Sequence, residues 1–347
     1  KIFLMKRKKK KFWNSKNVLI TGVTGFVGSN LAKNLSKEGA NIVGITQSKK
    51  IKSLLFHEKI DKKIKLLFGD ITDIIFIKKI LKKFKIQFCF HLAAQVEVGR
   101  ARKSPYETWE TNVKGTYTLL EATRKSKNKI KSIIIASSDK AYGEHGIKKM
   151  PYKETYELKP IFPYDTSKAC ADMIAQSYSS SLYKLPIIIS RFSNIYGPGQ
   201  LNFTALIPDS IRSCILNKKF KIRGDGEDIR DFVYIDDIVD LYKLLSKKLF
   251  KNPKKYSGEI FNAGTNTPHK IKNIIKKIFF YKNKKSEFTK IMKSAKRRKT
   301  KGEISVQYMD FNKLNNYFGW KPKKTIDTTL PILYDWYENY FKNENSL

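Results

Sequence analysis

The chain has little acid to balance its base: 31 Asp and Glu stand against 70 Lys and Arg, a formal net charge of +39 over 347 residues. It has only three cysteines, Cys89, Cys170 and Cys214, scattered along its length. An odd, sparse set argues against a disulfide framework and fits a reducing cytosol, so a cytoplasmic location is expected. There is no run of about 18 apolar residues, hence no expected membrane span. At the start, a short apolar patch (Ile2 to Met5) precedes basic residues. A secretory signal has the opposite order, charge first and then a long apolar stretch. His57, His91, His145 and His269 lack ligand spacing, and no Cys–His cluster exists, so no metal site is expected. Neither a Ser-His-Asp arrangement nor an internal repeat is present.

The excess of base raises the question of a nucleic-acid partner. The lysines are spread along the chain, however, and only Lys6 to Lys11 and Lys293 to Lys301 are dense. No aromatic–basic recognition motif accompanies them. Compositional bias, with Lys and Ile standing in for other residues throughout, accounts for the charge. No specific nucleic-acid partner and no membrane partner are expected. Residues 1–11 read as a basic, disordered, solvated arm.

What is present is a globular composition, 41% hydrophobic and 13% aromatic, in a chain too long for one small core. Short apolar runs at Asn17 to Thr21, Asn41 to Thr46, Ile64 to Gly69, Gln87 to His91, Ser132 to Ser137 and Pro186 to Arg191 read as buried strands. Helical patterns alternate with them at Phe26 to Lys37, Asp73 to Phe84, Thr108 to Lys125 and Phe162 to Tyr183. This alternation predicts an α/β fold, a Rossmann-type doubly wound parallel sheet. After Arg191 the regularity drops. Helices are expected around Pro208 to Leu216, at Asp236 to Lys247 and in the tail from about Lys270. Glu259 to Ala263 reads as a strand returning to the main sheet.

Thr21-Gly22-Val23-Thr24-Gly25-Phe26-Val27-Gly28 follows the first strand directly. Glycines three apart between a strand and a helix let the backbone approach a pyrophosphate, and the helix N-terminus supplies N–H groups and partial positive charge. Residues 12–191, with roughly 232–264, are thus expected to form an NAD(P)-binding domain. Residues 192–231 and 265–345 are expected to form a smaller, mixed C-terminal substrate-binding lobe.

The G-x-x-G-x-x-G spacing resembles the extended short-chain dehydrogenase/reductase family. Further segments match it in order: Gly69-Asp70-Ile71-Thr72-Asp73, His91-Leu92-Ala93-Ala94-Gln95, Asn112-Val113-x-Gly115-Thr116 and Phe318-Gly319-Trp320-Lys321-Pro322. The resemblance covers the chain from about Asn17 to the C-terminus. It implies a dinucleotide contacted by Gly22, Thr24, Gly25, Phe26, Val27, Gly28, Asp70, Ile71, Leu92, Ala93, Ala94, Gln95 and Asn112, together with Tyr164 and Lys168, with Asp70 near the adenine amino group. One position departs from the NAD pattern. The second strand runs into Ile45-Thr46-Gln47-Ser48-Lys49-Lys50, without the acidic residue that hydrogen-bonds the ribose 2′-hydroxyl. NAD is expected, with NADP possible.

Tyr164 and Lys168 lie one helical turn apart on one face. An ammonium beside a phenol is expected to lower its pKa, so that Tyr164 takes a sugar hydroxyl proton as hydride leaves carbon. Upstream stands Ser137-Ser138-Asp139-Lys140-Ala141-Tyr142-Gly143, at the C-terminal end of a strand, where open α/β sheets place ligands. Ser138-Asp139-Lys140 resembles the motif of nucleotide-sugar 4,6-dehydratases, in particular CDP-glucose 4,6-dehydratases. The same Asp-Lys pair occurs in inverting UDP-N-acetylglucosamine dehydratases. The resemblance implies C4 oxidation aided by Tyr164, C5 deprotonation by Lys140, proton donation by Asp139 to the departing C6 hydroxyl, and hydride return to C6. A nucleotide-sugar 4-epimerase, needing Ser138, Tyr164 and Lys168 but neither Asp139 nor Lys140, is the enzyme alternative. A dinucleotide-fold protein that binds nucleic acid is the non-enzyme one. On the substrate side the resemblance points to Asn194, Asn202 and Arg230. Arg230's planar fork suits a diphosphate. Arg100 is a further candidate, Asp236 and Asp237 read as structural, and a homodimer is implied.

Overall fold

The computed structural model describes residues 11–49, 51–295 and 304–344. The basic arm, Lys11 excepted, and residues 296–301 of the second basic stretch lie outside the described residues. The strands are β1 (Asn17–Thr21), β2 (Asn41–Thr46), β3 (Lys65–Phe68), β4 (Phe88–His91), β5 (Ser132–Ser138), β6 (Ile187–Phe192), β7 (Asn194–Tyr196), β8 (Ile229–Arg230), β9 (Phe232–Tyr234), β10 (Ile260–Ala263), β11 (His269–Lys270) and β12 (Val306–Gln307). Seven of them form one sheet in the order β10-β6-β5-β4-β1-β2-β3, every neighbouring pair parallel. The expected doubly wound parallel sheet is what the chain forms.

The sheet is apolar on both faces because alternate residues of its strands serve opposite layers. Val18, Ile20, Phe88, Phe90, Ile134 and Ile188 pack with Leu31, Leu35, Ile238, Leu241 and Leu245 from the helices Phe26–Lys37 and Ile235–Lys251. Leu19, Cys89, Ile133, Ile135, Ile187 and Ile189 pack on the other face against Ile77, Ile80, Leu119, Leu120 and Ala175. Each fully buried Val, Leu, Ile or Phe side chain among them contributes about 1.5–3 kcal/mol. Strand order reverses at β1, whose neighbours are β2 and β4. The crevice above that switch point is where such sheets bind ligands.

β10 joins the main sheet beside β6, as the pattern at Glu259 to Ala263 predicts. The sequence did not show the small sheet β11-β8-β12. Two-residue strands leave no periodicity to read. The tail contains the helices Ile271–Tyr281, Lys285–Ser294, Asn312–Phe318 and Ile326–Glu344. Gly319 ends the third of these at φ +65°, and Trp320 behind it is buried. No helix among the described residues is long and apolar enough to cross a membrane.

Candidate active site

A cavity of about 1370 Å³ opens above the switch point, and the glycine turn forms one wall of it. Gly22 has φ +68°, and a Cβ there would lie 2.7 Å from the Ala93 backbone at the end of β4. A Cβ on Gly28 would lie 2.2 Å from the Gly22 carbonyl oxygen. These two glycines let the turn fold against the strand and the helix against the turn. Gly25 differs: it is the N-cap of Phe26–Lys37, and a Cβ there meets only the Gly22 oxygen, at 3.1 Å. Gly22, Thr24, Gly25, Phe26, Val27 and Gly28 all face the cavity, as do Ile71, Leu92, Ala93 and Ala94.

Three of the expected cofactor residues are not on the wall. Asp70 is exposed, and its carboxylate accepts the Thr72 N–H at 2.8 Å. Gln95 and Asn112 brace the wall from behind. Asn112 Oδ1 accepts the Gln95 N–H at 2.7 Å and its Nδ2 donates to Ser167 Oγ at 2.8 Å. Asn112 sits in a single π-helical turn, Glu110–Lys114, a distortion often found at functional sites. At the far edge, Thr46, Gln47, Lys52 and Ser53 take the place of an acidic residue at the end of β2.

The opposite wall is the end of β5. Ser138 caps the short turn Asp139–Tyr142, its Oγ accepting the Lys140 N–H at 3.2 Å and donating to Asp139 Oδ1 at 3.0 Å. Gly143 closes the turn at φ +73°, where a Cβ would overlap the Lys159 carbonyl. Ser138, Asp139, Lys140, Tyr164 and Lys168 all line the cavity. Tyr164 and Lys168 come from the helix Pro163–Ser179. A buried bidentate pair, Arg191 to Asp172 at 2.8 and 3.0 Å, ties that helix to β6.

Burial raises the Asp139 carboxyl above the ordinary carboxylate range, partly opposed by Lys140 and Arg230. An acid at this position therefore tends to keep its proton. Burial lowers Lys168 to about 8. The Tyr164 phenol is raised, first of all by burial. This corrects the expectation that Lys168 lowers it. The Lys168 ammonium is directed to the Ala136 carbonyl oxygen, 2.5 Å away, and the phenol is buried. Lys140 Nζ donates to Gln307 Oε1 at 3.0 Å.

Asn194, Asn202 and Arg230 face the same cavity. Arg230 is held in part by the carbonyls of Ile229, at 2.9 Å, and Ser305, at 3.3 Å. Arg100 does not face it: its guanidinium pairs with Glu107 at 3.1 Å on the surface, and Arg102 lines the cavity instead. Asp237 accepts the N–H groups of Lys323 and Lys324, a structural task. Sequence reasoning did not single out the wall residues Lys221 and Arg223, or Gln307 behind Lys140. The first two lie in a basic, irregular stretch with no motif, and Gln307 comes from the unforeseen β12.

A protein-family model described as GDP-mannose 4,6 dehydratase matches residues 19–332. The chain belongs to this family. Among its relatives in the family, the Homo sapiens dTDP-D-glucose 4,6-dehydratase is 30% identical over 336 residues, 95% of this chain and 92% of that one. The Salmonella typhimurium CDP-glucose 4,6-dehydratase is 27% identical over 348 residues, 97% and 95% of the two chains. A crystal structure of the Bacillus anthracis dTDP-glucose 4,6-dehydratase in complex with NAD superposes with a TM-score of 0.80 at 29% identity, covering 94% of this chain and 97% of that one.

Proposed function

We propose that this member of the GDP-mannose 4,6-dehydratase family is an NAD-dependent nucleotide-sugar 4,6-dehydratase, with CDP-glucose as its substrate. One observation carries the reading. Asp139, Lys140, Tyr164 and Lys168 share a single cavity with the glycine turn. An oxidation–elimination–reduction sequence needs an acid, a base and a phenol around one ring beside a dinucleotide.

The glycine turn, the helix N-terminus behind it and the Leu92–Ala94 strand end would hold the dinucleotide. When bound, NAD supplies the hydride acceptor and donor that take C4 to the ketone and later reduce C6. Tyr164 takes the C4 hydroxyl proton in its phenolate form, the form that burial disfavours, with Ser138 beside it orienting that hydroxyl. The ketone acidifies the C5 proton, and Lys140 removes it and returns a proton to C5 when C6 is reduced. Asp139, kept protonated by burial, gives its proton to the C6 hydroxyl, which departs as water. An acid and a base side by side need different environments. Asp139 is 5% exposed, whereas Lys140 is only half-buried. Arg230 and Asn194 are suited to the diphosphate and sugar.

The Asp139-Lys140 pair supports CDP-glucose, through its resemblance to the CDP-glucose 4,6-dehydratase motif. The human and B. anthracis relatives are named for dTDP-glucose instead. Incubation with CDP-, dTDP-, UDP- and GDP-hexoses, read by mass spectrometry, tests both levels. Loss of one water with a 4-keto product supports dehydration, and the preferred nucleotide fixes the substrate. Retained mass with inverted C4 would make it an epimerase. We further propose a cytoplasmic homodimer. The scattered cysteines, all free, support the location. Tyr106, Trp109 and Tyr117 on residues 105–124, with Met173 on the catalytic helix, are exposed apolar side chains that a second copy would cover.

A further inference from the structure

The Lys140 amine lies at the end of a flexible four-carbon stem with high rotamer entropy. A base must instead stand within hydrogen-bond reach of its proton in one orientation. Its partner in the structure is Gln307 Oε1, at 3.0 Å. Gln307 is 1% exposed, and its Nε2 has no hydrogen-bond partner among the described residues. Its backbone is fixed independently of Lys140. β12 pairs with β8, with Gln307 in register with Arg230. The Ile229 N–H donates to the Ser305 carbonyl at 2.9 Å, and Tyr152 bridges Tyr308 and Asp310 with two bonds of 3.0 Å. A buried amide on so constrained a strand is an anchor that the lysine reaches for.

The chemical type of the anchor matters. A carboxylate at this distance would hold the ammonium form and raise the lysine's proton affinity. A neutral amide oxygen orients the amine without adding negative charge. The titratable groups around the turn are Asp139 on the turn itself, Tyr164 and Lys168 on the catalytic helix, Tyr152 on the adjoining loop, and Asp228, Arg230 and Asp231 beside β8. We propose that Gln307 is a positioning residue for Lys140: its side-chain oxygen aims the amine at the sugar without placing a negative charge beside it. This rests on the base role assigned to Lys140 above.

Two variants separate this role from simple packing. Gln307→Met keeps the volume and removes the acceptor. Gln307→Glu keeps the acceptor and adds charge. The first readout needs no substrate: competitive acetic anhydride labelling of the resting enzyme across pH, with Lys140 and Lys168 peptides quantified by mass spectrometry. The second is C5–H exchange in D2O with whichever nucleotide hexose the panel identifies. Gln307→Glu should raise the Lys140 labelling midpoint by about one unit or more, leave that of Lys168 in place, and move C5 exchange to higher pH. Gln307→Met should slow C5 exchange about tenfold or more, with a smaller change in KM. The inference is overturned if both variants, folded by circular dichroism, retain the wild-type midpoint and exchange profile. A midpoint that moves in an enzyme exchanging no C5 proton on any nucleotide hexose would keep the contact but refute the base role, and with it the positioning function.

Discussion

At the scale of single residues, the proposed dehydration turns on Asp139. Its carboxyl is buried, and burial raises its pKa, so the neutral acid is the form the fold tolerates. Asp139→Asn preserves shape and removes the proton to be donated. The variant should lose roughly 10²–10⁴-fold in kcat while its thermal unfolding temperature at pH 8 stays at or above that of the wild type. A fall of several degrees would mean that the carboxylate stabilises the fold through its charge. The glycines divide in the same way between site and scaffold. Gly25→Ala should fold and weaken dinucleotide binding, measured by calorimetry, whereas Gly28→Ala should unfold at much lower temperature because its Cβ meets backbone at 2.2 Å. The spacing of these residues, and the Ser138-Asp139-Lys140 and Tyr164–Lys168 motifs, was legible in the sequence because each repeats a fixed chemical pattern. The direction of the Tyr164 shift was not legible. It depends on how much water reaches the phenol and on where the Lys168 ammonium points, and spacing encodes neither.

At the scale of elements, strand and helix identities in residues 17–192 follow from alternation of apolar runs, because both faces of a parallel sheet are covered. Ser132 to Ser137 and Pro186 to Arg191 read as apolar runs, and as Ser132–Ser138 and Ile187–Phe192 they form the two strands whose ends carry or support the site. The strands β8, β11 and β12 escaped because two residues carry no period. One link between elements has a pH signature. His91 bridges Thr21 of β1 at 2.9 Å and Thr116 of the following helix at 3.0 Å. Burial, followed by the Lys168 charge, lowers its pKa to about 3. The folded state therefore holds fewer protons than the unfolded state between about pH 6.5 and 3. Stability contributed by the neutral ring is present above that window and is lost as pH falls through it. The advantage of wild type over His91→Gln in urea unfolding should shrink by about 2 kcal/mol between pH 7 and pH 4.5. An advantage that stays constant with pH would place the protonation elsewhere.

At the scale of the whole molecule, the charge of +39 obscures an ordinary arrangement: a seven-stranded parallel sheet with a cavity above its switch point. The exposed aromatic side chains at Tyr106, Trp109 and Tyr117 are the feature a homodimer would explain. Light scattering should give twice the mass of the 40.3 kDa chain, and Trp109→Glu should shift it toward the monomer. A monomeric wild type at micromolar concentration would remove that part of the proposal. The loss of regularity after Arg191 was readable, but which side chains beyond it would reach Lys140 was not, since that depends on tertiary pairing of β12 with β8.

The most direct test of dehydration by Asp139 and Lys140 is the product formed in D2O, analysed by mass spectrometry and proton NMR. The account predicts a 4-keto sugar lighter by one water and carrying solvent deuterium at C5, with no such product from Lys140→Ala. A product of unchanged mass, or a dehydrated product from Lys140→Ala with normal C5 deuterium, would contradict it.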